Sequence, residues 1–223
     1  MRSHCKNVTG DVMQLWDFAA LTYYRTLDRF SGSLNQLAIK ELDLRPGDAV
    51  LDIGCGTGAL IPALVEAVGP QGRVVAMDFS ARMVAIARKR AAWPNVEVRQ
   101  ADACVTDHGA GQFDAAVALG AFSAMPDVPA AIANAAEALR PGGRLFVFDV
   151  RLAKNTRSTR FMRAAYRLMA GFSGADVVAE LRKVFERVEP VFAVEGETTT
   201  TVMATKVMDT ATRSACTPSR PAG

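Results

Sequence analysis

The chain has 223 residues, of which 50% are hydrophobic, and a formal net charge of +3. This length supports one well-buried domain and is too short for two of ordinary size. The small positive charge falls short of that of a dedicated nucleic-acid binder. No apolar run is long enough to cross a bilayer and no secretory leader is visible, so we expect a cytoplasmic protein. The four cysteines show neither metal-ligand spacing nor a disulfide pattern, which predicts free thiols and no metal site.

The hydrophobic pattern predicts two helices and then an alternation of strands and helices. Apolar residues at three- and four-residue steps indicate an amphipathic helix over 11–30, and Ser33 is placed to cap a second helix that ends near Leu42. Short apolar runs then predict buried strands, with helices between them. The predicted strands are 49–53, 73–77, 96–98, 113–119 and 144–150, and the predicted helices are 57–68, 80–90 and 128–139. Such an alternation implies a parallel sheet with helices on both faces.

The pattern changes after Val150. Two helices, over about 156–170 and 175–185, precede two strand-like segments over 188–194 and 198–206. The short connection between these segments predicts an antiparallel hairpin at the edge of the sheet. From Asp209 the chain consists mainly of Thr, Ser, Arg, Pro and Gly, which predicts a disordered tail.

The strongest motif is a glycine-rich loop, Gly54-Cys55-Gly56-Thr57-Gly58, directly after the first predicted strand. Such a loop lets the backbone approach a ligand closely and points free helix N–H groups at an anion. Together with Ala59 it also satisfies the dinucleotide spacing G-x-G-x-x-G/A. Asp52 favours S-adenosylmethionine (SAM) instead, because a carboxylate here would repel a pyrophosphate and suits the ammonium group of a methionine. The helix N-terminus can meanwhile bind the methionine carboxylate.

Five motifs in the expected order resemble those of class I SAM-dependent methyltransferases. The loop D-I-G-C-G-T-G is similar to the first motif of this family, and the other similar segments are 77–80, 101–103, 113–118 and 139–145. The five motifs occur in order within residues 48–150. The resemblance implies a Rossmann-like α/β fold with a mostly parallel sheet of seven strands in the order 3-2-1-4-5-7-6. In that fold strand 7 is antiparallel, helices cover both faces, and N-terminal lid helices are present.

The resemblance also implies which residues bind SAM and its product, S-adenosylhomocysteine (SAH). Asp78 would bind both ribose hydroxyls, and Asp102 would lie near the adenine amino group. Single residues also have plainer interpretations: Asp78 as a cap of the next helix, although Ser80 is better placed, and Cys55 as a small residue that a tight loop allows. The predicted set is Asp52, Gly54, Cys55, Gly56, Gly58, Asp78, Phe79, Met83, Asp102, Ala103, Leu119 and Gly120.

Methyl transfer from a sulfonium is an in-line displacement in which positioning supplies most of the acceleration. A base is needed only when the acceptor must lose a proton, so the motifs assign no catalytic residue. His108, Asp127 and Tyr24 are candidate bases. His108 follows the third predicted strand in a polar loop, where a solvated, non-catalytic role is the alternative.

Acceptor residues are expected on segments that cover the carboxyl ends of the strands. Three segments qualify: the N-terminal helix, which in the resembling family often folds over the cofactor as a lid; the segment 119–126; and a basic helix after the fifth strand. Core packing of the aromatic residues and a solvated face for the arginines are the alternatives. The candidates are Trp16, Tyr23, Tyr24, Phe122, Met125, Arg160 and Arg163.

On this basis we divide the chain into an N-terminal helical lid over 1–45 and a SAM-binding domain over 46–207, followed by a tail over 208–223. A helical acceptor-site insertion is expected at about 152–172. No Asn-Pro-Pro-Tyr or Asp-Pro-Pro-Tyr motif is present, which disfavours nucleic-acid substrates. Short motifs such as Asp-Phe-Ser are similar to those of quinone-biosynthesis and phospholipid N-methyltransferases, but the closing Gly-Phe motif expected of the quinone enzymes is absent.

Three hypotheses follow for the function. The first is methyl transfer to a small, hydrophobic or lipid-like molecule by a monomer or homodimer. The second is a cyclase-like enzyme of the same fold that uses the cofactor structurally. The third is a binding module whose basic helix makes peripheral contact with an anionic membrane.

Overall fold

The computed structural model describes residues 32–150, 174–191 and 199–206. Several predictions concern other parts of the chain and lie outside these described residues. They are the helix over 11–30, the basic helix over 156–170, the tail, and the candidate residues Trp16, Tyr23, Tyr24, Arg160 and Arg163.

A single sheet of seven strands forms the centre of the described structure. The strands are β1 (Ala49–Ile53), β2 (Arg73–Asp78), β3 (Val96–Gln100), β4 (Phe113–Leu119), β5 (Leu139–Val150), β6 (Arg187–Pro190) and β7 (Thr199–Thr205). Their order is β3-β2-β1-β4-β5-β7-β6. The first five strands pair in parallel, and β7 pairs antiparallel with both β5 and β6. The predicted order and the antiparallel seventh strand are confirmed.

Helices cover both faces of this sheet, as predicted. They are α1 (Gly32–Leu42), α2 (Ile61–Val68), α3 (Ala81–Arg90), α4 (Val128–Ala138) and α5 (Val177–Val184), with a short 3-10 helix at Phe122–Ala124. On one face, Leu42 of α1 and Leu64 of α2 belong to a buried cluster with Val50. On the other face, Ile132 of α4 and Leu181 of α5 belong to a buried cluster with Leu51. The alternation of Val50 and Leu51 between the clusters is that of a strand buried on both sides.

Two elements begin more than two residues away from their predicted start. Helix α2 begins at Ile61, four residues after the predicted start, because Gly58 has a φ of +75° that no helical residue adopts and Pro62 lies in the first turn. Strand β5 begins at Leu139 instead of Arg144, with a register shift against β4 between Phe113 and Ala115. The sequence Pro141-Gly142-Gly143, which precedes the predicted strand, is therefore an irregular part of the observed strand.

Helix α1 is anchored to the domain. Ala38 and Leu42 are completely buried, and the amide of Asn35 donates a hydrogen bond of 3.3 Å to the carbonyl of Ala59. At the end of the helix, the guanidinium of Arg144 in β5 bonds to the Asp43 side chain and carbonyl. These contacts attach α1 to Ala59, directly after the glycine loop, and to β5.

Candidate active site

The glycine loop connects β1 to α2 in a conformation that requires glycine. Gly54, Gly56 and Gly58 have φ values of 69°, 54° and 75°, in the left-handed region that side chains disfavour. A Cβ on Gly54 would lie 2.5 Å from the Cβ of Ala121, and one on Gly58 would lie 2.8 Å from Ile61 Cδ1. The loop therefore passes directly against the segment that follows β4.

Backbone hydrogen bonds hold this loop against the end of β2. The Cys55 N–H donates to the Met77 carbonyl at 2.9 Å, and the Gly56 N–H donates to Asp78 Oδ2 at 2.8 Å. The other oxygen of Asp78 accepts from the Ser80 N–H at 2.9 Å. Ser80 in turn caps α3, because its hydroxyl accepts from the Met83 N–H at 3.2 Å. The carboxylate of Asp78 thus lies at the glycine loop.

Asp52 is a buried carboxyl next to this loop. It is 2% exposed, and its Oδ2 has no hydrogen-bond partner among the described residues. Burial, and secondly the charge of Asp78, raise the pKa of Asp52 to about 7. A buried carboxyl oxygen without a partner is costly unless a ligand satisfies it. The α-ammonium group of a SAM methionine has the charge and the donors to do so, so these residues fit that cofactor.

Cys55 has the properties of a small loop residue and not of a nucleophile. Burial raises the pKa of its thiol well above the ordinary value, and the charges of Asp52 and Asp78 add to the effect. The thiol therefore stays protonated, whereas a nucleophilic cysteine needs a thiolate. Its Sγ lies 3.7 Å from the Gly56 carbonyl as a weak donor.

The loop after β3 meets the same edge of the sheet. The Ala101 N–H donates to the Asp78 carbonyl at 3.0 Å, and Asp102 Oδ1 accepts from the Cys104 N–H at 2.9 Å. The carbonyl of Ala103 accepts a hydrogen bond of 2.8 Å from Asn134 of α4. Asp102 is therefore held by a fixed turn beside the end of β2. Of the other predicted residues near this turn, Phe79 is half-buried and Met83 is 3% exposed.

The segment after β4 forms the other side of this edge. Gly120, with a φ of 67°, donates its N–H to the Phe148 carbonyl at 2.6 Å, and Leu119 is half-buried. Phe122 is completely buried in the core, so its side chain has no exposed surface, whereas Met125 is partly buried. The backbone of Gly120 therefore faces the region beyond the carboxyl ends of the strands, and the Phe122 ring does not.

Sequence reasoning missed Asp149 at the carboxyl end of β5. It is completely buried, and its Oδ2 accepts a hydrogen bond of 3.0 Å from the Ser123 N–H. The carboxylate thereby fixes the 3-10 helix that follows β4. The signal was present in the sequence, because Asp149 is the one acid in the apolar run Leu145–Val150, and a buried acid in a strand needs a partner.

The two described candidate bases differ in their surroundings. Asp127 is the N-cap of α4, since its Oδ1 accepts from the Ala130 N–H at 3.1 Å. His108 is half-buried between β3 and β4, and its Nδ1 has no partner among the described residues. Burial, and secondly the charge of Arg99, lower the pKa of His108, so its imidazole is neutral at pH 7, which is the form that a base requires. Another acid, Asp114, is not a candidate base and lies at the start of β4. It accepts a hydrogen bond from the Ala49 N–H and pairs with Arg140.

A sheet of this order with a glycine loop after its first strand defines a Rossmann-like cofactor-binding domain. Comparison with known proteins narrows this class. A family profile described as "Methyltransferase domain" matches residues 50–143, the part of the chain that carries the loop, Asp52, Asp78 and Asp102.

Two curated relatives are methyltransferases of cyanobacteria. The chain is 35% identical over 144 residues to a 2-phytyl-1,4-naphtoquinone methyltransferase of Thermosynechococcus vestitus, covering 62% of this chain and 64% of that protein. It is 30% identical over 162 residues to the protein of the same name from a Nostoc species, covering 69% of this chain and 71% of that protein. The chain thus spans slightly less than two thirds of the first protein and slightly more than two thirds of the second.

Solved structures share the fold at lower identity. The YcgJ protein of Bacillus subtilis superposes with a TM-score of 0.67 at 17% identity, covering 78% of this chain and 98% of that one. A phosphoethanolamine N-methyltransferase of Haemonchus contortus, in complex with SAM, gives 0.67 at 16%, covering 79% and 53%. The [4+2]-cyclase SpnF gives 0.63 at 20%, covering 83% and 82%. The chain belongs to the class I SAM-dependent methyltransferases, and SAM is the cofactor of this family, as the motifs predicted.

Proposed function

We propose that this chain transfers the methyl group of SAM to a small, hydrophobic or lipid-like acceptor. The observation that carries the proposal is the sheet edge at which the glycine loop, the Asp78 carboxylate and Asp52 Oδ2 meet. This oxygen of Asp52 has no hydrogen-bond partner in the described part of the chain. When bound, SAM supplies a methyl group on a positively charged sulfur. The task of the protein is then to hold cofactor and acceptor in line and to exclude water.

Each residue at this edge has a role in the proposal. Asp52 receives the α-ammonium group, and the glycine loop that precedes α2 faces the methionine carboxylate. Asp78 accepts from the ribose hydroxyls, and Asp102 lies toward the adenine amino group. Leu119 and Gly120 form the wall between cofactor and acceptor. The remaining predicted cofactor residues, Gly54, Cys55, Gly56, Gly58, Phe79, Met83 and Ala103, shape the loop and the floor of the site.

Replacing Asp78 tests the cofactor part of the proposal. Asp78→Ala removes the acceptors for the ribose diol, and each hydrogen bond to a charged group contributes about 1.5–3 kcal/mol. We expect SAH binding, measured by calorimetry, to weaken by about 100-fold or more, since two such bonds are lost. Asp107→Ala, a substitution of an exposed acid in the loop after β3, is the matched control and leaves binding unchanged. An unchanged dissociation constant for Asp78→Ala contradicts its assignment.

The names of the relatives support a hydrophobic acceptor. Two of them are 2-phytyl-1,4-naphtoquinone methyltransferases, and a prenylated quinol is accordingly the first acceptor class to test. The acceptor wall in this proposal includes Met125 among the described residues, together with Trp16, Tyr23, Tyr24, Arg160 and Arg163. His108 is the first candidate for a base, because its imidazole is neutral and has an unpartnered nitrogen.

Isotopically labelled SAM identifies the acceptor directly. The full chain is incubated with methyl-labelled SAM and a lipid extract, and labelled products are separated and identified by mass spectrometry. We expect one labelled apolar product formed in equal amount to SAH, and none with Asp78→Ala. Label only in water-soluble or macromolecular fractions would contradict the acceptor class.

The similarity to a [4+2]-cyclase supports one alternative. In that case the cofactor is bound but not consumed, as proposed for a cyclase-like enzyme. The same incubation distinguishes the two functions, because methyl transfer produces SAH and a cyclisation does not. SAM binding without any SAH, in the presence of a substrate that rearranges, would favour the alternative.

The arrangement of the whole chain is part of the proposal. We propose a lid formed by residues 1–45, of which α1 is already packed on the domain, a SAM-binding domain over 46–207 with an acceptor-site insertion at about 152–172, and a tail over 208–223. No helix of the described residues is long and apolar enough to cross a membrane. A cytoplasmic monomer or homodimer that meets an anionic membrane through its basic segment fits a lipid-like acceptor.

A further inference from the structure

We propose that binding of the amino-acid end of the cofactor expels one proton from the Asp52 carboxyl to the solvent, so that cofactor affinity depends on pH near neutrality. The inference rests on the proposed function, because it concerns the same site. It goes further in assigning a protonation state to the site before binding. Two carboxyls on neighbouring strands and their unequal hydrogen bonding carry the argument.

Asp52 and Asp78 lie on the same face of the sheet. Asp52 is in register with Ala76 on the neighbouring parallel strand, and Asp78 is two positions further along that strand. Side chains alternate along a strand, so Asp78 shares the face of Ala76, and Asp52 shares the face of Val50. Val50 and Ala76 belong to one buried cluster. The two carboxyls are therefore diagonal neighbours at the end of a buried face.

Hydrogen bonding decides which of the two carboxyls carries a proton. Asp78 accepts from the backbone N–H groups of Gly56 and Ser80, and such donors stabilise the charged form. Asp52 is 2% exposed with an oxygen that lacks a partner among the described residues. Burial and the nearby Asp78 charge both disfavour its ionised form, which raises the pKa of Asp52 to about 7. The proton of the pair therefore belongs to Asp52.

Other charged groups on the elements packed around this face do not change the assignment. The Cys55 thiol in the loop has a raised pKa and is neutral, and Arg90 of α3 reaches the loop at Thr57 Oγ1, 3.5 Å away. Besides burial, the charge that acts on Asp52 is that of Asp78. The further charged groups on these elements are Lys40, Glu41, Glu66, Arg73, Arg82, Arg88, Lys89 and Asp114.

The direction of the pH dependence follows from this state. An α-ammonium group beside Asp52 favours its ionised form and lowers its pKa in the complex. Below pH 7 the carboxyl must lose its proton to bind, so affinity falls as pH falls. Above pH 7 the carboxyl is already ionised, so affinity no longer changes. The dependence is that of an acid that is protonated in the free protein and ionised in the complex.

Calorimetry of the full chain with SAH measures the released proton. Titrations at pH 6 and pH 8 are each run in two buffers of different ionisation enthalpy. With Asp52 half-protonated at about pH 7, we expect about nine-tenths of a proton released per SAH at pH 6 and about one-tenth at pH 8. Affinity at pH 6 should be about tenfold weaker than at pH 8.

Variants and a second ligand localise the proton. Asp52→Asn should abolish both the proton release and the pH dependence of affinity. Asp114→Asn changes an acid at the start of β4, at the edge of the sheet away from the glycine loop, and should retain both. 5'-Methylthioadenosine lacks the amino-acid end and should bind the unaltered protein without releasing a proton. This ligand keeps the test decisive if Asp52→Asn does not fold.

The outcomes separate this inference from the proposed function. If SAH does not bind at either pH, the proposed function itself is wrong. If SAH binds with heats that do not depend on the buffer, cofactor binding stands and the proton release is wrong. Release that persists in Asp52→Asn, or that also occurs with 5'-methylthioadenosine, overturns the assignment to Asp52.

Discussion

Gly54 directly follows β1, has a left-handed backbone conformation and packs against Ala121 of the segment after β4. An alanine there would place its Cβ 2.5 Å from the Cβ of Ala121 at a φ of +69°. The left-handed conformation alone costs an L-residue about 1–2 kcal/mol. We expect Gly54→Ala to lower the unfolding temperature and weaken SAH binding. Adding Ala121→Gly should restore part of the stability, because it removes the overlap and leaves the backbone strain.

A double-mutant cycle measured by thermal unfolding tests this contact. The two substitutions should be coupled, so the double variant is more stable than the sum of the single effects predicts. Strictly additive effects would contradict the close approach of Gly54 to Ala121. Gly47→Ala is the matched control, since it also has a positive φ but no atom within 4 Å of its added Cβ, and so it should show strain without coupling.

The charge of Asp52 should destabilise the unliganded protein at high pH. Its pKa is raised from 3.8 to about 7 on folding, so the folded state favours the protonated form and loses stability as pH rises between these values. Asp52→Asn removes this charge. We expect its stabilisation to be larger at pH 8 than at pH 5 by about 2–3 kcal/mol, measured by urea unfolding. The matched Asp114→Asn should destabilise at both pH values, because Asp114 has partners in Ala49 and Arg140.

The positions of residues that belong to a sequence motif were easier to predict than those of residues whose position depends on a long-range contact. Ser80 caps the helix that follows it, as its position in the sequence suggested, and Asp78 ends β2 beside it. Asp149 was missed because its partner, the Ser123 N–H, is 26 residues away in sequence. Phe122 was predicted to face the acceptor, but no local pattern indicates to which side a side chain in a short 3-10 helix turns.

At the scale of elements, Lys206 joins the end of β7 to the end of α4. Its ammonium donates to the carbonyls of Ala136 and Leu139 at 2.8 and 2.6 Å, where the helix dipole favours a cation. We expect Lys206→Met to lower the free energy of unfolding by about 1–2 kcal/mol. Lys183→Met is the control, because Lys183 is exposed and pairs only with Glu180 among the described residues. Denaturant unfolding measures both, and equal losses would contradict the role of Lys206.

The ends of elements show what local sequence can and cannot determine. Strand β4 has the predicted bounds, Phe113–Leu119, because all of its residues except Asp114 are apolar, which is the pattern of a strand buried on both faces. Helix α2 starts later than predicted because the glycine loop extends to Gly58. The loop passes close to Ala121 at Gly54 and close to Ala87 at Gly58. Similarly, β5 continues through Pro-Gly-Gly because Gly142 and Gly143 pair with Lys206, a long-range contact that no local pattern contains.

For the molecule as a whole, cofactor binding should appear as stabilisation. A ligand that binds only the folded state stabilises it by about 2.7 kcal/mol at 100 times its dissociation constant. We expect SAH to raise the unfolding temperature of the full chain by several degrees, and NAD at the same concentration to leave it unchanged. Differential scanning fluorimetry measures both shifts. If NAD raised the unfolding temperature and SAH did not, the glycine loop would be a dinucleotide-binding loop instead.

The topology was predictable because five motifs resemble those of a family whose fold has this strand order. The acceptor was not predictable. Methyl transfer depends on positioning, so it leaves no catalytic triad in the sequence. In the proposed function, acceptor selectivity instead depends on the shape of the site beside Gly120 and Met125. Such a shape results from packing between distant parts of a chain, which a pattern of residue types does not specify.

Strand β7 lies between β5 and β6, although β6 precedes it in the chain. During synthesis, the edge of β5 that faces β7 therefore stays unpaired until residues 199–206 have emerged from the ribosome. Until then the nascent chain exposes a long apolar strand edge, of the kind that recruits chaperones and other chains. Synthesis of this protein should thus depend on chaperones most strongly in the interval between emergence of β5 and emergence of β7.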